Sequence, residues 1–352
     1  MKCYQYINSP TKQLMDAIGQ HVADHCDLSQ HPKVIQALES LQRVSEEVPS
    51  FVHFIDDYIR FSSNQAGFGQ REITLIEMYL IMRVLSTYMT IPVLVGHLHL
   101  IGEYEAAARI NSNAIDESGG KGNPSHHELL VNSLNIAAKS IGGLPVTTKR
   151  LLAAIQIYEL RNTASKIGDS EVLWARLKND SQYLSIQKEE LPLVIKIAEL
   201  LDGNMLRYHR HIHKTLLIPT MLEPSNKQIL ALATLELAKR EAESVDEKEA
   251  NLSFIGTWER LIRFYGSRFH PDEYKMANAW AAAHNDGEEA KKGGWVDRSA
   301  EDGHARDARC IALHFLTALN PAEFAQVLEQ VTENAVLRLQ HWDYLVTSLN
   351  KG

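Results

Sequence analysis

The stretch PAEFAQVLEQVTENAVLRLQHW, residues 321–342, decides the fold class because its apolar side chains recur every three or four residues. That spacing places one apolar stripe along a single face of an α-helix. The stretch starts with a proline, whose fixed φ suits the first turn of a helix, and Asn320 before it is a residue type that caps helix N-termini. The segment therefore predicts a long amphipathic helix that buries one face.

The same period runs through most of the chain. It is seen in LMDAIGQHVADH (14–25), VIQALESLQRV (34–44), FVHFIDDYIRF (51–61), LLAAIQIYEL (151–160) and ILALATLELAKREAE (229–243). Gly-, Pro-, Asn- and Ser-rich breaks separate these runs, and strand alternation bounded by tight hairpin dipeptides is missing. Ser29 and Ser225 precede periodic runs and are predicted N-caps, while Pro124 and Pro321 suit a cap or first-turn position. We therefore predict an all-α chain of roughly a dozen helices.

Composition and charge exclude several classes of partner. Of the 352 residues, 45% are hydrophobic and 23% are charged, which is typical of a soluble globular protein. The chain carries 44 acidic and 36 basic residues, a net charge of -8, so no positive surplus exists to neutralise a nucleic-acid backbone. The N-terminus lacks the apolar core of a signal peptide, and IPVLVGHLHLIG (91–102) is too short to span a bilayer. We expect no nucleic-acid partner, no membrane association and a cytoplasmic location.

The three cysteines are scattered singly along the chain, at Cys3, Cys26 and Cys310. Neither a disulfide framework nor a CxxC zinc site can be drawn from that spacing. We expect reduced and mostly buried thiols.

Residues 293–316, GGWVDRSAEDGHARDARCIALHFL, read as a loop followed by a helix with chemistry on one face. Asp297, Glu301 and His304 fall at i, i+4 and i+7, which aligns two carboxylates and an imidazole along one stripe. A solvated acidic face is the common interpretation of such a pattern. The small residues Gly303 and Ala308 favour close helix packing instead, so a metal-binding face stays open as the second interpretation.

Residues 111–130, NSNAIDESGGKGNPSHHELL, hold a second pair of ligand types around a flexible break. Glu117 ends one helical run and His127 opens the next, and the glycines between them allow both to approach one point. Facing helices that carry Glu, Asp and His side chains are how bundles bind paired iron or manganese ions. The two segments together therefore predict a metal centre.

These two segments resemble the haem-oxygenase-like diiron oxidases and oxygenases, often described as iron-containing redox enzymes. Members carry a segment with asparagine, an Asp-Glu or Asn-Glu pair and spaced glycines, followed by a histidine, and a His-x-x-x-Asp-x-x-His helix near the C-terminus. NAIDESGGKGNPSHHELL (113–130) is similar to the first and DRSAEDGHAR (297–306) to the second. Asp297 stands where the family has its first histidine, and Glu301 replaces the aspartate. The resemblance covers residues 80–140 and 250–320.

The resemblance implies a haem-oxygenase-like helical bundle, enlarged by extra helices, with six metal ligands. Those ligands are Glu117, His127, Glu259, Asp297, Glu301 and His304. Glu259 stands for a glutamate that the family carries on an intervening helix, and Glu199 and Glu159 are alternatives for that position. The implied organisation is one domain over 1–352. Its parts are N-terminal helices in 1–70, a metal-binding bundle core of 71–140 and 250–320, and an inserted helical layer at 141–249.

The activity that the resemblance implies is oxidation of a small organic substrate by two Fe²⁺ ions, or manganese, with O₂ as co-substrate. An amine or amino-acid derivative is favoured, by N-oxygenation or oxidative C–C cleavage, because no long apolar helix face near the ligands indicates an acyl tunnel. Two alternatives stay open: a metal-free helical scaffold or binding protein on the same fold, and a cofactor-free acid-base enzyme of the same superfamily.

Other histidines and the C-terminal helix carry weaker predictions. RYHRHIHK (207–214) spaces His209 and His213 as a metal pair, but alternating basic residues favour a solvated surface. GHLHL (96–100) puts His97 and His99 on different helix faces, which argues against joint ligation. The helix predicted over 321–342 is long enough to pair with a copy of itself in a homodimer.

Overall fold

The computed structural model describes residues 10–46, 91–118, 146–163, 186–223, 225–249 and 298–350, together with positions 135, 172 and 175. Of the described residues 87% are helical and none lies in a strand, which confirms the prediction of an all-α chain. The helices are α1 (Pro10–His25), α2 (Pro32–Ser45), α3 (91–100), α4 (Tyr104–Ser118), α5 (Thr148–Thr163), α6 (Leu191–Leu200), α7 (Gly203–Ile212), α8 (Ile218–Leu222), α9 (Lys227–Glu249), α10 (Arg298–Thr317) and α11 (Pro321–Asn350). Within these ranges, no helix combines the length and apolarity needed to cross a lipid bilayer.

Helix α9 lies at the centre of the bundle. Every residue from 231 to 239 is buried, so this part of the helix meets protein on all sides. Its largest contact is with α10, and α1 and α11 pack on it as well. Both α9 and α10 are rich in buried alanine, which allows two helix backbones to approach closely.

The predicted small-residue face of α10 is correct at one position and wrong at another. Ala308 is buried, as close packing requires. Gly303 is not at a close approach, because a Cβ built on it meets no atom within 4 Å. The absence of a side chain at Gly303 therefore has no packing explanation in the described part of the chain.

The stretch that predicted the fold forms α11, which follows α10 after a short turn. Asn320 caps it as predicted: its Oδ1 accepts hydrogen bonds from the backbone N–H groups of Ala322 and Glu323, both at 3.0 Å. The Glu323 carboxylate in turn accepts the Asn320 N–H at 3.0 Å, which completes a capping box. Pro321 is the first residue of the helix, as expected, whereas Pro124 lies outside the described residues.

The apolar stripe of α11 packs within the chain against α2, α7 and α9. Its buried members include Phe324, Leu328, Val331 and Ala335. The period of three and four therefore marked the packed face correctly. Homodimer formation through this helix stays a prediction.

Two predicted caps are wrong. Asn226 rather than Ser225 caps α9, because its Oδ1 accepts the backbone N–H of Gln228 at 3.1 Å. Ser29 caps no helix: its N–H and hydroxyl donate to the Asp27 carboxylate at 3.1 and 2.6 Å in the turn between α1 and α2. Asparagine and aspartate compete for the same backbone donors and are favoured at such positions.

Helices α3 and α4 are joined by a tight reversal at Gly102, which has φ of +84°. The Gly102 N–H donates to the His99 carbonyl at 3.2 Å, and the Glu103 N–H donates to the Leu98 carbonyl at 2.8 Å. These two bonds form a Schellman motif, in which the residue after the helix adopts a left-handed conformation. Glycine alone takes that conformation without steric cost.

Helices α7 and α8 form one rod with a π-helical turn, His213–Leu217, between them. Pro219 lies just after this turn and has no N–H to donate to the carbonyl of Thr215, four residues earlier. The wider turn at that carbonyl relieves the clash with the proline ring, which is a common reason for a π-bulge.

Helices α5 and α6 pair beside the main bundle. Arg150 on α5 donates to Glu190, just before α6, at 2.8 Å. The main apolar cluster includes α9 but no residue of α5 or α6. The range 141–249 thus holds both this outlying pair and the most central helix, and the domain boundaries drawn from the sequence stay predictions.

The described cysteines are free thiols. Cys26 is half-buried and Cys310 is exposed, so the expectation of a buried thiol is wrong for Cys310. Cys3 lies outside the described residues.

Substitution of alanine for glycine should change the free energy of unfolding in opposite directions at Gly102 and at Gly303. Gly102→Ala should lower the free energy of unfolding by about 1 kcal/mol, because a Cβ is strained at positive φ. Gly303→Ala should raise it by about 1 kcal/mol, because alanine loses less backbone entropy inside a helix. Urea unfolding of both variants, followed by circular dichroism, measures the two changes. Equal effects of the same sign would contradict the described backbone.

Candidate metal centre

The two helices that carry the ligand motifs lie against each other. Helix α4 ends with the Glu117 segment, and α10 begins with the Glu301–His304 segment. Two contacts join them: Arg109 Nη1 lies 3.1 Å from Asp307 Oδ1, and His314 Nε2 lies 3.6 Å from Glu103 Oε1. Moving forward along α4 therefore moves backward along α10, so the pair is antiparallel.

This antiparallel register brings the end of α4 and the start of α10 to about the same level. Position 117 lies eight residues beyond Arg109, which makes it level with about residue 299 in the first turn of α10, since both helices rise about 1.5 Å per residue. Position 301 is then less than one turn away along the axis, and His304 between one and two turns. The end of α4 and a helix start more than 180 residues later in sequence are thus at about the same height along the pair.

The helical phase of the motif positions matches the packed faces. Seven residues separate position 117 from Ile110, so both lie on one side of α4, and Ile110 is 3% exposed. On α10, His304 lies on the same side as the buried Ala308 and Ile311. Arg306 and the residues four and eight positions after it lie on another side and are exposed. The metal-binding face of α10 and its alternative, a solvated acidic face, both stay predictions.

The predicted ligands differ in how much of each the structure describes. The side chain of His304 is described and is half-buried. Glu117 and Glu301 are described only as positions in α4 and α10. His127, Glu259 and Asp297 lie outside the described residues, so the six-ligand set stays a prediction.

The two alternatives to Glu259 are engaged elsewhere. Glu159 on α5 accepts a hydrogen bond from Arg210 Nε at 2.8 Å, and Glu199 on α6 lies 3.8 Å from Arg161. Both carboxylates are partly exposed, at 43% and 58%, and belong to helices outside the α4–α10 pair. Glu259 lies outside the described residues, so the middle ligand stays a prediction.

Among the described side chains, no three His, Cys, Asp or Glu residues are arranged to hold a metal ion. Five of the six predicted ligand side chains lie outside that set. The finding therefore concerns the other described side chains and leaves the predicted ligand set untested.

A buried polar seam between α9, α11 and α7 was not predicted. It consists of Glu236, Lys239 and Glu243 on α9, Asn334 and Arg338 on α11, and His211 on α7. Their spacing on α9, i, i+3 and i+7, places three charged groups on one face of a helix that is buried all round. Charges at helical spacing inside an apolar run are the sequence signal that would have found it.

One half of the seam is a charge triad. The Lys239 ammonium forms an ion pair with Oε1 of Glu243. Arg338 Nη2 donates a hydrogen bond to the other carboxylate oxygen, Oε2, at 2.6 Å. Burial by itself would raise the pKa of Glu243, but Arg338 and Lys239 outweigh it and hold that pKa at about 2. Burial lowers the pKa of Lys239, and Glu243 opposes this effect.

The other half of the seam is a chain of hydrogen bonds. Asn334, which is 1% exposed, donates its amide N–H to Glu236 on α9. Its Oδ1 lies 2.9 Å from Nε2 of His211 on α7, and Gln330 also contacts that ring nitrogen at 3.1 Å. One asparagine therefore ties three helices together.

The histidines of RYHRHIHK are only partly at the surface. His213 is exposed as predicted, but the surface interpretation is wrong for His209, whose Nε2 is buried. The His209 ring meets the buried His341 ring edge to face, with centroids 5.5 Å apart. Burial, then His341 and Arg240, lowers the pKa of His209 well below its usual value, and burial lowers the pKa of His341 to about 4.

The two histidines of GHLHL lie on different sides of α3, as predicted. His97 is 8% exposed and His99 lies at the surface, so the two rings face different surroundings. Burial lowers the pKa of His97, and its Nδ1 has no hydrogen-bond partner among the described residues. A neutral imidazole is consistent with that environment.

Comparison of the chain with protein-family models, with curated proteins and with solved structures finds no match.

The charge triad predicts an asymmetric response to substitution. Arg338→Met should lower the free energy of unfolding by about 3 kcal/mol, because it leaves the Glu243 carboxylate buried with a partner removed. Lys12→Met removes one member of the exposed Lys12–Asp16 pair and should change stability by less than about 0.5 kcal/mol. Chemical denaturation of both variants at neutral pH measures the difference. A loss for Arg338→Met no larger than that of the control would mean that the triad is solvated.

The buried imidazoles predict a loss of stability in mild acid. The pKa of His341 is about 4 in the folded chain against an ordinary value of 6.5, so its contribution to stability is complete above pH 6.5 and is lost as pH falls toward 4. Between pH 7.5 and pH 5 this one group should cost about 2 kcal/mol. The contribution of Glu243 is complete above its ordinary pKa of 4.5 and is lost only at lower pH, as the pH falls toward about 2.

The measurement is urea unfolding at the two pH values for the parent chain, for His341→Leu and for His99→Leu. The His341→Leu variant should lose much of the difference between the two pH values. The His99→Leu variant, which alters an exposed ring, should keep it. An unchanged pH dependence in His341→Leu would contradict the burial of this imidazole.

Proposed function

We propose that the chain is a cytoplasmic, non-haem iron-dependent oxygenase built on a haem-oxygenase-like helical bundle. It would bind two irons at the α4–α10 pair and use O₂ to oxidise a small amine or amino-acid-like substrate. The ligands proposed are Glu117, His127, Glu259, Asp297, Glu301 and His304. The single observation that supports this most is the antiparallel pairing of α4 and α10, because it brings the end of α4 to the level of the first turns of α10.

The donor types suit iron. Carboxylates bridge and neutralise paired cations, and imidazole nitrogen is a good ligand for Fe²⁺. Aspartate at 297 in place of the family's histidine gives a harder and more anionic ligand set, which also suits Fe or Mn. Bound iron would supply the electrons for reduction of O₂.

The chain itself supplies position and exclusion of water. The Arg109–Asp307 ion pair holds the register of α4 on α10, about two turns from Glu117 along α4 and less than one turn from His304 along α10. Arg109 also donates to Glu105 at 2.7 Å, which anchors the guanidinium on its own helix. Below the ligands along α10, buried Ala305, Ala308 and Ile311 present an apolar wall that keeps solvent from the interior side.

Metal content tests the proposal. The untagged chain, loaded anaerobically with Fe²⁺ and desalted, should retain about two irons. His304→Ala and Glu301→Gln should retain less iron and consume O₂ more slowly with reductant present. His314→Ala, which removes an imidazole that is 61% exposed on the same helix, is the matched control and should behave like the parent chain.

Three outcomes would redirect the assignment. Absence of retained iron in the parent chain would favour the metal-free scaffold. Loss of a catalysed reaction in His304→Ala with bound metal unchanged would favour acid-base chemistry. Equal iron loss in His304→Ala and His314→Ala would mean that surface histidines bind the metal.

A further inference from the structure

The last two turns of α1 carry two histidines that the proposed iron centre does not use. His21 and His25 are four residues apart, which places them on the same face of a helix. Their rings stack with centroids 4.3 Å apart and planes inclined by 28°. His21 is half-buried and His25 is exposed, so the pair opens to solvent on one side.

The His25 ring is oriented by a backbone carbonyl. His25 Nδ1 lies 2.8 Å from the carbonyl oxygen of His21, so this nitrogen is the donor in the neutral ring. In neutral His25 the other ring nitrogen, Nε2, then carries the lone pair.

This is the arrangement that metal-binding histidines adopt. A ligating imidazole donates its second ring N–H to a carbonyl or carboxylate, which fixes the tautomer and aims the lone pair. Burial, then the neighbouring His25, lowers the pKa of His21, which keeps that ring in the neutral form that binds metals.

The two rings are close enough to share one ion after side-chain rotation. Metal–nitrogen bonds of about 2.1 Å in a tetrahedral site place two ligand nitrogens roughly 3.4 Å apart. Imidazole lone pairs lie in the ring planes, so the stacked rings, whose centroids are 4.3 Å apart, must rotate to aim one nitrogen each at the ion. Side-chain rotation of the exposed His25 supplies this movement without a change in the helix.

We propose that His21 and His25 form a two-histidine site for a late first-row divalent metal ion such as Ni²⁺, Cu²⁺ or Zn²⁺. Imidazole is the ligand that these ions prefer. Because the described residues offer no third His, Cys, Asp or Glu arranged to complete the site, water fills the remaining positions. The site is separate from the proposed iron centre and does not depend on it.

The position of the pair gives the ion a structural consequence. His21 contacts α10 through Leu316 and stacks on Phe324 of α11, with ring centroids 6.2 Å apart. A metal held by His21 therefore sits where α1 meets the turn between α10 and α11. Since the unfolded chain lacks this geometry, binding stabilises the folded state.

Titration calorimetry with NiCl₂ at neutral pH on the untagged full chain tests the site. The parent chain should show one strongest site, and Ni²⁺ should raise its midpoint of thermal unfolding. His21→Gln and His25→Gln should weaken that site by at least about tenfold, which is the lower bound for loss of a group that merely orients a ligand. His99→Gln and His213→Gln, which alter exposed histidines on other helices, should leave it unchanged.

A matched exchange keeps composition and charge constant. The double substitution Ala23→His with His25→Ala moves one imidazole by two residues, which turns it about 200° around α1 and away from His21. It should lose the strongest nickel site while the chain stays folded by circular dichroism. Retention of that site in this variant and in His25→Gln would overturn the proposal.

The same variants separate the two metal proposals. His25→Gln should retain the Fe²⁺ loading of the parent chain, and His304→Ala should retain its nickel site. Loss of nickel binding in His304→Ala, with no loss in His25→Gln, would assign nickel to the α4–α10 region and refute the His21–His25 site.

Discussion

The burial of α9 on every side constrains the rest of the bundle. Along residues 231–239 this helix has no solvent-facing side, yet it carries Glu236 and Lys239, with Glu243 one turn further on. An unpaired charge at such a place would cost several kcal/mol, so each charged group must meet a partner on a neighbouring helix. Arg338 and Asn334 on α11 provide those partners, and their positions set the register of α11 along α9.

That register extends to the candidate site through α10. Helix α10 packs closely along α9, and a capped turn at Asn320 joins it to α11. It therefore has little freedom to slide along α9. Helix α4 then attaches to the outer part of α10 through Arg109 and Asp307. The level of α4 on α10 thus rests on the Arg109–Asp307 pair, while charge pairing in the interior fixes how α11, and with it α10, lies on α9.

Sequence reasoning succeeded where local physics decides the outcome. The helical period predicted α11 and its packed face, and Asn320 followed by Pro321 predicted how that helix starts. It failed where tertiary partners decide. Asn226 caps α9 instead of Ser225, and Cys310 is exposed instead of buried. The Nε2 atom of His209 is buried, although the basic residues beside it had suggested a solvent-exposed ring. The polar seam was missed because charged residues at helical spacing look the same whether water or another helix faces them.

By itself the sequence determined the all-α class, the helical runs that form α1, α2, α5, α9, α10 and α11, and the two segments that carry carboxylate and imidazole groups, because periodicity and capping depend on near neighbours in the chain. Only the tertiary structure decided that α4 and α10 run antiparallel, that α9 is central and that the His21 ring stacks on His25 and Phe324. Those features depend on which distant groups meet in the interior, where charge pairing and close packing select one arrangement among several that the same local pattern allows.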